Sequence, residues 1–504
     1  MDGQQAIDTI VVGGGAAGCV IAARLSEDSE RRVLLLEAGP DYGSDPAAWP
    51  PALLDANGVC VDLHDWDYVH SRQVGEPVSL FRGRLMGGTS AINGSVWLRG
   101  APADYDAWAG MGNPGWTYAE LLPYFQKAES DPLDGTTGPV PIRRTNEASL
   151  TTVERALVEA AAAVGMPWVS NQNDPAAQTP GVGSSPRNVV DDVRMNGALT
   201  YLAAARHRPN LEILPNAAID RVLIENGSAV GVQTVDGRRI AAREVVLTAG
   251  AYGSPAILMR SGVGPAGHLA ELGIPVIQNL PGVGRNLLDH PLAANGFCLY
   301  LVHPDVAPEQ QAFIRLVLKG QSRQATNGND YFLLAMVNHD EDAGGWVFVL
   351  PTSLMVARSR GTVRLTSPDP DATLAIDHNY FSDPADLEAI CDGIEFANRL
   401  AATPPLAEML SPAPAALSWS NRDELRRLIP EHANTTYHPS STCRMGPIDD
   451  PGAVVDHAGR VHGVTGLRIA DASIFPTSPS ANIHATVVAV AEKVADAMRR
   501  ESAH

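Results

Sequence analysis

The hydrophobic pattern opens on Ile7, Ile10, Val11 and Val12, an apolar and β-branched run that predicts a strand buried on both faces. Ala16 to Leu25 continues as an Ala-rich helix, and Arg32 to Leu36 as a second apolar strand. Trp116–Glu129 and Leu150–Val164 carry apolar residues at helical spacing, and Met195–Ala205 is a further helix candidate. Leu211–Leu214 and Arg221–Ile224 read as strands; the second meets Val230–Val235 across Asn226-Gly227, and Asp236-Gly237 turns the chain into Ile240. Glu244–Gly250 is another buried strand, followed by a helix expected to begin at Ser254 with Pro255 in its first turn. From about Asn295 to His432 strands and helices mix, including Gly361–Ser367 and a long helix to Leu400 capped by Asp383 and led by Pro384. Leu467–Ala472 is a strand, and a final helix runs from about His484 to Arg499 with Val487, Val490, Ala491 and Val494 on one face.

The punctuation between the first elements carries chemistry. Gly13, Gly15 and Gly18 form G-x-G-x-x-G between strand and helix, and Glu37 ends the second strand 19 residues after Gly18. Gly13 permits a tight turn, Gly15 lets a pyrophosphate approach the backbone, and Gly18 lets the helix pack on the strand. The helix N-terminus offers free N–H groups to the phosphates, and Glu37 is placed to accept from ribose hydroxyls. This order predicts a dinucleotide site without choosing between FAD and NAD. A Gly/Pro/Asp-rich loop follows to about Asp67, and Trp49, Trp66 and Tyr68 argue that it is ordered. In Gly83–Gly100, the small residues Gly87 to Asn93 suit close approach to a flat ring, with Thr89, Ser90 and Asn93 able to hydrogen-bond its edge.

Composition changes the picture only in bounding it. The chain has 504 residues, enough for two or three cores, and is 45% hydrophobic and 19% charged, a folded globular composition. A formal net charge of −20 opposes nucleic acid and anionic membranes as partners. Cys19, Cys60, Cys298, Cys391 and Cys443 show neither metal spacing nor a disulfide framework, which suits a reducing compartment. With no signal-like or membrane-spanning run in view, a cytoplasmic location is expected.

Separated motifs then agree with one family. Gly83–Gly100, Ser254–Gly264, Val283–Pro291, Tyr437–Gly446 and Asn482–Asp496 together resemble the glucose–methanol–choline (GMC) oxidoreductases over nearly the whole chain. The resemblance implies an α/β fold: a Rossmann-like FAD-binding domain of residues 1–100, 210–295 and 445–504 interleaved with an α+β substrate domain of 101–209 and 296–444, built on an antiparallel sheet. It implies FAD contacts from Gly13, Gly15, Ala16, Ala17, Gly18, Glu37 and Ala38; from Gly83, Arg84, Gly87, Gly88, Thr89, Asn93, Gly94 and Val96; from Val222, Ala249 and Gly250; and from Asp471, Ala472, Asn482, His484 and Thr486.

In the same resemblance His438 matches the catalytic histidine and His484 the second active-site position. A neutral imidazole suits removal of a hydroxyl proton near neutral pH while hydride leaves carbon for flavin N5. The expected activity is oxidation of a small aryl or primary alcohol, or of a sugar or glycoside hydroxyl, with electrons passing to oxygen or another acceptor. Hydroxynitrile-lyase and fatty-acid photodecarboxylase chemistry are the alternatives on the same fold. His484 opens the last helix, whose N-terminus is expected to face the flavin. Ile92 occupies the position at which some members attach FAD through histidine, so a dissociable FAD is expected. Cys443, beside the catalytic motif, is expected to be buried and inert.

Overall fold

The computed structural model describes residues 7–70, 77–177, 179–293, 296–306, 311–326 and 328–502. The strand–turn–helix–strand unit forms as its pattern dictates. Ile7–Val12 pairs in parallel with Val33–Leu36 on one side and Arg239–Leu247 on the other, and Leu211–Leu214 and Leu467–Ile469 extend the parallel part. Ser228–Thr234 and Ile219–Glu225 complete the seven-stranded sheet as an antiparallel meander. The two segments expected at Ile240 and at Glu244–Gly250 are one nine-residue strand. Its first half pairs with the meander and its second with Ile7–Val12, so one strand joins the antiparallel and parallel parts.

Two helix starts differ from expectation. The helix expected from Ser254 spans Gly250–Arg260, with Ser254 and Pro255 inside it. Gly250 turns the chain at φ +78°, and Ser254 Oγ accepts from Ala249 N–H at 3.1 Å instead of capping a later turn. Pro255 brings no N–H for the carbonyl of Ala251, four residues back, and Thr442 Oγ1 donates to that oxygen at 2.7 Å instead. The Met195–Ala205 candidate becomes helical only at Ala198, where Asn196 Oδ1 accepts from the N–H groups of Ala198 and Leu199, and its first turn is a π-turn.

The second sheet has nine strands, all antiparallel, drawn from Gly181–Ser184, the segment from Pro291 to Leu354, Leu410–Pro412 and Asn434–Thr435. Helices Thr152–Ala163 and Pro384–Ala401 bury Val153, Leu157, Ile390 and Ile394 in one core with Leu333 and Phe348 of this sheet. Asp383 caps the second helix through Ala385 N–H at 2.9 Å. The last helix, Ile483–Ser502, packs in the first sheet's core beside Ala16–Leu25 and is tied to it by wholly buried Glu492, which accepts from Arg24 and from Tyr201 OH. A smaller apolar cluster, containing Val96, Leu98, Val317, Phe332 and Ala481, sits between the first signature and the second sheet. Among the described residues no helix is long and apolar enough to cross a membrane, and all five cysteines are free and buried.

Candidate active site

The dinucleotide turn lies at the carboxyl ends of the parallel strands, where open α/β sheets place their ligands. Gly13, at φ +101°, passes so near Thr248 and Ala249 that a side chain would meet the Thr248 carbonyl oxygen at 2.7 Å. At Gly18 a Cβ would lie 1.9 Å from the carbonyl oxygen of Gly13, the close helix–strand packing expected of the third glycine. Gly15 is different: a Cβ there would meet nothing nearer than Gly88 Cα at 3.9 Å. The protein itself does not fill the space over Gly15. Helix Ala16–Leu25 begins there without a side-chain cap or an acidic first-turn residue, leaving its N–H groups free for an anion.

The other expected contacts converge on this turn. Glu37 Oε2 accepts from Gly14 N–H at 2.8 Å and Oε1 from Gly39 N–H at 2.9 Å, and burial pushes its carboxyl up to about 7. Gly87 donates to the Gly14 carbonyl at 2.8 Å, Gly88 packs on Gly15, and Thr89 Oγ1 accepts from Gly83 N–H at 3.3 Å. Gly250 N–H donates to Asp471 Oδ2 at 2.8 Å, and Ala472 O accepts from Ser441 N–H, so these turns lock onto the loop that carries His438. Asn196 Nδ2 is wholly buried beside Gly87 and has no partner among the described residues. A Cβ-sized opening at Gly15, an uncapped helix start and an unpartnered amide fit a bound dinucleotide.

Several of the expected contacts also have protein partners of their own. Val222 lies in the outer meander with its N–H on Ser261 Oγ, and Val96 packs in the cluster between the sheets. Arg84 is exposed, with its guanidinium 5.0 Å from the centre of the Trp66 ring. The Thr486 hydroxyl is buried against Tyr105 OH at 2.7 Å. Ile92, 4% exposed, sits in the main apolar core.

The reacting end is built by strand register. Leu288 and Ser440 exchange backbone N–H···O bonds at 3.1 and 2.9 Å in an antiparallel bridge. Between that bridge and the Pro291–Thr435 pair, where the His290 carbonyl accepts from Thr436 N–H at 2.9 Å, the side chains of His290 and His438 meet with their Nδ1 atoms 2.8 Å apart. Asp289 Oδ1 accepts from the backbone N–H of both His290 and His438, each at 2.8 Å. Its Oδ2 accepts from Tyr380 OH and Thr435 Oγ1, each at 2.5 Å. Burial pushes the Asp289 carboxyl up, but His378 and these hydroxyls outweigh it and leave the group below its ordinary value. Tyr437, at φ +63°, makes the turn into His438 and is held by Arg82 Nη2 on its carbonyl at 2.7 Å.

The segment before the last helix closes the site. Asn482 Nδ2 donates to His438 Nε2 at 3.2 Å, and Ser478 Oγ pairs with His290 Nε2 at 3.1 Å. Asp104 Oδ2 fixes this segment by accepting from the N–H and Oγ of Ser480 at 2.8 and 2.7 Å. His484 Nδ1 is 3.5 Å from Asn93 Nδ2, and its ring meets the Trp97 indole edge-on with centroids 4.8 Å apart.

With the Asn482 amide nitrogen set against His438 Nε2, one tautomer of each ring satisfies the network. An amide donor at His438 Nε2 leaves the lone pair on that nitrogen and the proton on Nδ1, given to His290 Nδ1. His290 then carries its own proton on Nε2, toward Ser478. Burial and the neighbouring His290 hold His438 well below the usual histidine value, and burial pushes His290 and His484 down to about 4. All three rings are therefore neutral near pH 7. His290 and Asp289 are the partners that motif reading passed over. They stand in Val283–Pro291, and nothing local to that stretch says that it pairs with residues 434–440.

Known proteins match the chain over nearly its whole length. Models of the GMC oxidoreductase N-terminal and C-terminal regions match residues 7–292 and 357–491. The chain is 36% identical over 540 residues to the oxygen-dependent choline dehydrogenase 1 of Chromohalobacter salexigens, covering 98% of this chain and 94% of that one. It is 36% identical over 537 residues to the 5-(hydroxymethyl)furfural oxidase of a Methylovorus species, covering 97% and 98%. The crystal structure of pyridoxine 4-oxidase from Mesorbium loti superposes with a TM-score of 0.87 at 32% identity, covering 99% of both chains. The chain therefore belongs to the GMC oxidoreductases, FAD-dependent enzymes that act on CH–OH donors.

Proposed function

We propose that this enzyme oxidises the CH–OH group of a small primary alcohol to a carbonyl, with His438 as the base. The carrying observation is the neutral His438 imidazole, whose Nε2 lone pair faces Asn482 while its Nδ1 proton is committed to His290. The substrate hydroxyl takes the place of the Asn482 amide at Nε2 and gives its proton to that nitrogen. The imidazolium so formed is held by the His290 lone pair and by the Asp289 carboxylate behind both rings. His484 and Asn93 orient the substrate oxygen from the opposite side. When bound, FAD supplies the two-electron acceptor for the hydride.

We assign FAD to the seven-stranded sheet, with residues 1–100, 210–295 and 445–504, and the substrate to 101–209 and 296–444. The named relatives that oxidise ring-bearing primary alcohols favour such a substrate over a sugar. FAD is held without a covalent bond, since the apolar, core-packed Ile92 offers no nucleophile. Acid precipitation should accordingly release free flavin into the supernatant.

The test is anaerobic mixing of purified holoenzyme with aryl alcohols, aliphatic alcohols, choline and sugars while the oxidised-flavin absorbance is followed. Bleaching by primary alcohols that is abolished in His438→Ala supports the reading. Readmitted air then separates an oxidase from a dehydrogenase. A flavin that no alcohol reduces overturns the reading in favour of lyase or light-driven chemistry.

A further inference from the structure

The second sheet carries an irregularity where it meets the first signature. Strand Ala312–Gly320 pairs with Tyr331–Asp340 in register at Phe313↔Met336, then resumes at Leu316↔Ala335, so Ile314 and Arg315 are extra. Ile314 takes φ +48°, a conformation that a β-branched residue strongly disfavours. Bulges of this kind re-aim side chains beside functional sites. The Phe313 ring lies directly over Gly94: a Cβ there would be 3.0 Å from Phe313 Cε1 and 3.5 Å from Ile314 Cδ1. Gly94 follows Asn93, the partner of His484, and the same apolar cluster includes Ala481, next to Asn482.

Phe313 and its cross-strand neighbour Met336 are only partly buried, and the groups packed with them are Val96, Ile314, Met355 and Ala481. This wall offers carbon and thioether surface. A ring stacks on it favourably, whereas a hydroxyl set against it loses its water without a replacement partner.

We propose that Phe313, held over Gly94 by the bulge at Ile314, is the specificity-determining residue of the alcohol site and selects an apolar, aryl-bearing alcohol over a polyhydroxylated one. This rests on the alcohol-oxidation reading and deepens it. Discrimination comes from the contact made by the part of the substrate beyond the carbinol, so it scales with the ring and not with the reacting group.

The experiment uses holoenzyme, Phe313→Ala and Phe313→Leu. The kcat/KM for flavin reduction is measured with benzyl alcohol, 1-propanol and glucose. Dissociation constants are measured from the flavin spectrum with α,α-dimethylbenzyl alcohol and tert-butanol, which have no carbinol hydrogen and cannot be oxidised. Wild type should prefer benzyl alcohol to glucose. Phe313→Ala should lose about 10- to 100-fold in kcat/KM for benzyl alcohol and a similar factor in affinity for its dimethyl analogue. FAD content should stay nearly unchanged, losses for 1-propanol and tert-butanol should be much smaller than for the aryl ligands, and Phe313→Leu should fall between. Equal losses for aryl and aliphatic ligands, or none for either, overturn the proposal. The tertiary alcohols keep the tests separate: a flavin that no alcohol reduces refutes the oxidation reading, and their affinities still decide whether Phe313 recognises a ring.

Discussion

His290 Nδ1 lies 2.8 Å from His438 Nδ1, placed there by an antiparallel register between segments 148 residues apart. One of the two nitrogens carries the proton, and the Asn482 amide at His438 Nε2 decides which. The contact keeps the His438 lone pair on Nε2 and gives the charged ring an acceptor. His438→Ala should slow flavin reduction by about 10²–10⁴-fold. His290→Gln should keep FAD bound and cost about 10-fold, with kcat falling more than KM rises, as a lost orienting partner requires. Stopped-flow reduction under anaerobic conditions reads both. Equal activity of His290→Gln and wild type contradicts the relationship.

The neutrality of the buried rings has a signed consequence for pH. His290 and His484 have folded values of about 4, and His438 lies well below 6.5, so between about pH 6.5 and 4 the unfolded chain binds more protons than the folded one. Their contribution to stability is complete above the unfolded value and is lost as pH falls through that window. Glu37, raised to about 7, acts with the opposite sign: its contribution is lost as pH rises from its unfolded value of 4.5. The His290→Gln difference isolates one histidine. It should flatten the slope of unfolding free energy against pH by about 1.4 kcal/mol per unit in the acid window. Flavin reduction in wild type should show no inflection near 6.5, and one there contradicts a neutral buried base.

Gly15 and Gly18 stand three residues apart and respond to different things. Gly15 has ordinary backbone angles, and no protein atom other than Gly88 Cα lies near its missing side chain. Gly15→Ala should leave the apoprotein Tm within about 3 °C of wild type and weaken FAD by about 10-fold or more. Gly18→Ala drives a Cβ into the Gly13 carbonyl oxygen and should cost more than about 3 kcal/mol with or without FAD. Thermal melts of apo and reconstituted protein separate the two effects.

Asp289 accepts two backbone N–H groups and two hydroxyls and is 4% exposed. Asp289→Asn keeps one acceptor but turns a donor toward Tyr380 and Thr435. It should lower stability by about 2–4 kcal/mol in urea unfolding, and flavin reduction should fall because the negative charge that favours protonated His438 is gone.

What the sequence determined by itself is local. Strand, glycine turn, helix, second strand and Glu37 follow within about thirty residues, so period, turn chemistry and spacing specify the dinucleotide fold before any distant contact forms. Asp383-Pro384 marks a helix start for the same reason. Tertiary structure decided the rest. Ser254-Pro255 looks like a helix start, yet Gly250 takes the turn and Thr442 supplies the donor that Pro255 lacks. His290 meets His438 where the pairing shifts between Leu288–Ser440 and Pro291–Thr435, and Phe313 covers Gly94 because two extra residues enter one strand. Pairing register is set by packing between segments far apart in the chain, and a slip of one residue sends a side chain to the opposite face, so residues around His290 and Phe313 carry no local mark of what they touch.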